Sequence, residues 1–138
     1  IALGTNADII QFGGTATYFK YDPNENVFNL AKRLHKNMGA TNLAAAWSLA
    51  AKQKYDRVFI ISDNEANRSK TYDAYKAYVQ QAGQPYVYSV DLASYGTTQV
   101  AGDKVQYFFG YGLSMFEAIA TSEFNPNEVI EKIKRIKI

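Results

Sequence analysis

The chain contains no cysteine, a single histidine and only three prolines. Without cysteine there is no thiol nucleophile, no disulfide framework and no thiolate metal site. The one imidazole, His35, lies inside a helical pattern and far along the chain from the oxygen-rich segment around Asp63. A Ser–His or Cys–His catalytic pair therefore has no support. No apolar run approaches the ~20 residues that a membrane-spanning helix requires, and the N-terminus lacks the basic-then-apolar pattern of a secretory signal. Charge of one sign is also scarce. Fifteen Lys and Arg against thirteen Asp and Glu leave a formal net charge of +2, too small to argue for a nucleic-acid partner by itself.

Glycine-based phosphate loops are missing as well. There is no Walker loop and no Gly-x-Ser-x-Gly elbow. Gly110-Tyr111-Gly112 begins like a dinucleotide fingerprint, but Met115 stands where its third glycine would be. Enzyme templates therefore find no support and the expectation is a non-enzyme with no membrane partner; the lack of cysteine allows a reducing compartment without showing it, and a cytoplasmic location is expected.

What is present reads as one α/β domain. The 138 residues are 47% hydrophobic and 20% charged, ordinary for a folded chain with one core. Residues 7–12 read as a strand, Gly13-Gly14 as a turn and residues 15–21 as the returning strand. Val27, Leu30, Ala31, Leu34 and Met38 share one face of a helix over 27–38, which Gly39 ends. Leu43, Ala46, Trp47 and Ala50 mark a second helix over 42–54. Residues 57–62, Arg-Val-Phe-Ile-Ile-Ser, have the apolar run of a buried parallel strand. A helix over 69–82 stops at Gly83 and Pro85, and 86–91 and 105–109 are further strands. Helices over 114–121 and 128–137 follow. Tyr72, Tyr75 and Tyr78 recur along one side of the third helix, a spacing that suits core packing and a helix shoulder. In the last helix Lys132, Lys134, Arg135 and Lys137 give a basic face that complements the helix dipole.

Strands alternating with helices predict a mainly parallel sheet with helices on both faces, the hairpin adding one antiparallel edge strand. Ligands of such sheets collect at the carboxyl ends of the strands. Three segments fall there. Ser62-Asp63-Asn64-Glu65 puts a carboxylate among other oxygen-bearing side chains directly after the most apolar strand, a donor set suited to a hard cation; the same residues also make an ordinary polar loop. Thr41, with Asn42 beside it, opens a helix. Its hydroxyl suits either an N-cap or a cation and its water. Asp91 leads into Ser94-Tyr95-Gly96-Thr97-Thr98, which reads as a surface loop or a specificity loop.

Taken in order, Gly39-Ala40-Thr41-Asn42-Leu43 before a helix and Arg57 to Glu65 resemble the second and third elements of the metal-ion-dependent adhesion site of von Willebrand factor A (vWA) domains. More narrowly they resemble the A domain of the Ro (TROVE) family of RNA-binding proteins. The likeness continues through the Tyr- and Ala-rich helix, Gly83-Gln84-Pro85, Ser94 to Thr98, Gly102-Asp103 and Phe109-Gly110-Tyr111, and covers roughly Ala7 to Ile119. It implies a Rossmann-like, three-layer vWA fold. It implies Thr41 and Asp63 as ligands of a divalent cation, Mg²⁺ or Mn²⁺, directly or through water, with Asn42, Ser62, Asn64 and Glu65 in supporting or ligand-contact positions. It also implies a non-enzymatic role beside a helical-repeat ring that takes up small noncoding RNA and the 3′ ends of misfolded RNA. The alternative is a metal-dependent protein-interaction domain in which a partner carboxylate completes the cation's shell.

The first adhesion-site element of that family, Asp-x-Ser-x-Ser, has no counterpart in residues 1–138. Ile1-Ala2-Leu3-Gly4 reads as the tail of a helix. The whole of 1–138 is therefore expected to be a vWA-like domain without its first strand and helix, the missing strand being supplied from elsewhere.

Overall fold

A computed structural model describes residues 7–34, 39–63, 66, 68–93, 98–110 and 112–124. The expected elements that fall on them are present. In chain order they are β1 (Ile9–Phe12), β2 (Ala16–Phe19), α1 (Val27–Leu34), α2 (Leu43–Ala50), β3 (Arg57–Ser62), α3 (Arg68–Ala82), β4 (Tyr86–Asp91), β5 (Val105–Phe109) and α4 (Leu113–Phe124). Ile1 to Gly4, His35, Ser94 to Thr97 and the basic helix over 128–137 lie outside the described residues.

β3, β4 and β5 form a parallel sheet in that order, with Val58 opposite Val87, Ile60 opposite Ser89 and Val87 opposite Val105. Parallel strands need crossovers, and α3 supplies the one between β3 and β4. Residues alternate across β3: Ile60 and Ser62 are buried, whereas Arg57, Phe59 and Ile61 are exposed. The buried face joins Leu43, Trp47 and Ala50 of α2 and Tyr75 and Tyr78 of α3 in one core with Ile60 and Val87. Trp47 sits between the two tyrosines, with ring centroids at 5.0 and 5.2 Å. These are tilted aromatic contacts of the kind that stabilise cores beyond area burial alone. Tyr72 stays on the shoulder of α3 under the ammonium of Lys76. The tyrosine repeat is thus core and shoulder, as its spacing predicts. On the opposite face Tyr88 packs between Phe59 and Phe108.

The hairpin departs from expectation. β1 and β2 pair antiparallel, Ile9 opposite Phe19 and Phe12 opposite Ala16, but they form a separate two-stranded sheet rather than the edge of the parallel one. The turn takes in Gly13 to Thr15, closed by the Gly13 N–H donating to the Thr15 carbonyl at 2.8 Å. β3 is therefore at the rim of its sheet, and among the described residues no strand pairs with its outer edge. The physical reason is plain in the packing. The hairpin docks on α2, with Ile10 and Phe12 against the core, and side-chain bonds fix it there. The Tyr18 hydroxyl donates to the Leu49 carbonyl at 3.3 Å, and the Tyr55 hydroxyl donates to Asp8 at 2.7 Å. Adjacent strands need backbone pairing at ~4.8 Å; the hairpin makes no such ladder with the parallel sheet and is held on α2 by side chains and one backbone bond.

Among the described residues, three glycines adopt left-handed backbone conformations: Gly39 (φ 78°), Gly83 (φ 92°) and Gly110 (φ 75°). Gly83 ends α3 by donating its N–H to the Val79 carbonyl at 3.0 Å, a helix stop that favours glycine because it has no Cβ.

Candidate functional site

The carboxyl ends of the parallel strands are stitched together by the backbone. The Leu92 N–H donates to the Ser62 carbonyl and the Gly110 N–H donates to the Asp91 carbonyl, both at 2.9 Å. Side chains at the ends of β3 and β4 consequently share one edge.

Asp63 emerges from β3 exposed. The buried Ser62 hydroxyl donates to the Asp63 carboxylate at 3.4 Å. A carboxylate and an adjacent hydroxyl at a strand end form a small oxygen set of the type that hard cations accept. Asn64 and Glu65, the other two members of the tetrad, lie outside the described residues. Among the described residues, no three His, Asp or Glu side chains converge on one point. Among the described residues, a cation here would rest on Asp63, neutral oxygens and water.

Thr41 immediately precedes the cap of α2. The cap is Asn42: its side-chain oxygen accepts from the Ala45 N–H at 3.1 Å. The capping role considered for Thr41 thus belongs to its neighbour, which leaves the half-buried Thr41 hydroxyl outside the cap. Asn42 has further duties. Its N–H donates to the Gly13 carbonyl at 2.7 Å, and its side-chain amide donates to the Gly14 carbonyl at 3.4 Å. The residue between Thr41 and the helix therefore ties α2 to the hairpin turn, a structural role that limits its value as a ligand.

Thr41 and Asn42 line a cavity of about 150 Å³ together with Leu43, Ala44, Lys70 and Thr71. Asp63 does not line it. Lys70 and Thr71 belong to the first turns of α3, and Thr71 is fully buried. Neither residue stands out in the sequence, because only the packing of α3 against α2 brings them opposite Thr41. Lys70 lines this cavity but is exposed, and it is engaged in an interaction of its own.

Asp91 has a different task. Its side chain is completely buried, and its carboxylate accepts from the Ala93 N–H at 2.9 Å, an Asx turn that bends the chain out of β4. Beyond it, the loop that returns to β5 is pinned by one phenol. The Tyr107 hydroxyl accepts from the N–H groups of Gln99 and Val100, each at 2.8 Å, and donates to the Val100 carbonyl at 2.6 Å. Tyr107 was one aromatic among many in the sequence; its role depends on a loop closing over β5.

Compared with models of known protein families, the chain matches none, and it matches no curated protein sequence.

Proposed function

We propose that this chain is a non-enzymatic, vWA-type interaction domain of the Ro (TROVE) RNA-binding class, with a divalent-cation site at the carboxyl edge of its parallel sheet. The supporting observation is the division of labour at the start of α2. Asn42 makes the helix cap, so the Thr41 hydroxyl is left for another role, while Asp63 stands exposed at the end of β3. Mg²⁺ or Mn²⁺ would be held by the Asp63 carboxylate and the Thr41 hydroxyl, directly or through water, with Ser62 supporting Asp63. The cation would supply a point of positive charge to which an anionic group of RNA or of a partner protein could bind.

The test is calorimetric titration of the chain with Mg²⁺ and Mn²⁺, alongside Asp63→Ala and Thr41→Ala. The expected result is saturable binding that Asp63→Ala abolishes and Thr41→Ala weakens. Equal heats for wild type and Asp63→Ala would refute the cation site. A carboxylate-bearing peptide binding only with metal, while single-stranded RNA does not bind, would move the assignment to a protein-interaction domain.

A further inference from the structure

The amino ends of α2 and α3 meet around the cavity of about 150 Å³ that Thr41 lines. The start of α2 contributes Asn42, Leu43 and Ala44 to its wall, and the start of α3 contributes Lys70 and Thr71. Neither helix carries an acidic residue in its first turn, and among the described residues no carboxylate lines the cavity. The first N–H groups of a helix have no acceptor within it. In α2 the Asn42 side chain takes the Ala45 N–H, and among the described residues no acceptor serves those of Leu43 and Ala44. Thr71 gives a second, independent sign. It is 1% exposed yet lines the cavity, and among the described residues no hydrogen bond engages its hydroxyl. Buried hydroxyls are ordinarily bonded, since leaving one without a partner costs free energy.

We propose that this cavity is a binding site for a phosphate group. Two backbone N–H groups and the hydroxyls of Thr41 and Thr71 are all able to donate, and a phosphate offers several strong acceptor oxygens. A carboxylate has only two oxygens to set against the same donors. The amino end of α2 adds about half a positive charge, felt within its first turn. No charged side chain is required. Lys70 is exposed and engaged in an interaction of its own, and Asp63 does not line the cavity. A divalent cation at Asp63 would not exclude the phosphate. A hydroxyl has lone pairs for a cation and a proton for an anion, so Thr41 can serve both. The site goes beyond the cation reading and stands without it.

The experiment follows backbone amide resonances of the full chain in a chelating buffer free of divalent cations. The probes are inorganic phosphate, adenosine monophosphate and a short single-stranded RNA, with chloride at matched ionic strength as the control. Phosphate should shift the Leu43, Ala44 and Thr71 amides to saturation, and chloride should not. Thr71→Val keeps the shape of the side chain and removes its hydroxyl. It should weaken phosphate binding about tenfold, the lower end of what a hydrogen bond to a charged group is worth. Ala44→Pro removes one N–H from the first helical turn, where proline is tolerated, and should weaken binding comparably. Should Ala44→Pro lose its fold by circular dichroism, Thr71→Val decides alone. RNA binding that falls with Thr71→Val would support the site and identify the phosphate as that of a nucleic-acid strand. Phosphate and nucleotide binding without RNA binding would support it as a site for a free phosphate. The proposal is overturned if no probe saturates, if the shifts centre away from these three amides, or if the folded variants bind like wild type. It is also overturned if phosphate binds only once Mg²⁺ is restored and Asp63→Ala abolishes that binding, because the anion would then ride on the cation. Phosphate bound in chelator by a chain that takes up no Mg²⁺ would support the site and refute the cation reading instead.

Discussion

Replacing Tyr107 by phenylalanine removes one oxygen atom and keeps the ring, so it isolates what the phenol does. That oxygen accepts two backbone N–H groups and donates to one carbonyl, all in the segment from Gln99 to Val100. Both residues are 2% exposed, so water does not readily replace the lost acceptor. A buried donor left without a partner costs about 1–3 kcal/mol. Two such donors give about 3 kcal/mol for Tyr107→Phe, taking the lower half of that range because these bonds are only partly buried. For a chain of this size, each kcal/mol moves the melting temperature by roughly 3–4 °C, so a fall of about 10 °C is expected. Differential scanning calorimetry measures it. Hydrogen exchange locates it: the Gln99 and Val100 amides should lose protection before the rest of the domain. A melting temperature lowered by less than about 2 °C, with both amides still protected, would show that the loop is held by the burial of Val100 and not by the phenol.

Other outcomes follow from the same geometry. Asn42→Ala should cost about 1 kcal/mol as a lost helix cap and somewhat more through the lost bond to Gly14, whereas Thr41→Ala should leave the melting temperature nearly unchanged. Equal losses for the two would return the cap to Thr41. Tyr55, Tyr75 and Tyr78 all have pKa values raised above the ordinary tyrosine value, in each case first by burial, and at Tyr55 next by its bond with Tyr18. A raised value in the fold means that their contribution to stability is complete below about pH 10. It is lost as pH climbs above that toward the folded-state values. Circular dichroism should therefore report alkaline unfolding above about pH 10, with tyrosinate absorbance from these residues appearing together with it. Smooth ionisation of all eleven tyrosines with the fold intact would contradict this.

The sequence carried most of the secondary structure because periodicity carries it. The apolar run of β3 and the glycine stop at Gly83 could be read directly, and so could the Trp47 stripe. The parallel character of the sheet followed from the alternation of strands and helices, and its order β3-β4-β5 came only with the structure. The separation of the hairpin from that sheet did not follow, since alternation within Ile9–Phe12 says nothing about which neighbour the strand finds. The candidate site was legible only in part. Asp63 at a strand end is a local feature, and the structure keeps it there, exposed. The choice of Asn42 over Thr41 as cap turns on backbone geometry between two adjacent residues that are both good caps. Lys70 opposite Thr41 is made by tertiary packing. No spacing in the chain announces it.

The docking of the hairpin through α2 has a mechanical consequence. An isolated two-stranded hairpin is marginal in water, so β1 and β2 can be no steadier than their seat on the helix. That seat converges on one residue at its upper end, where Asn42 grips Gly13 and Gly14 while it starts α2. One side chain thus carries two loads, the first turn of α2 and the turn of the hairpin, so a change at Asn42 should loosen both together.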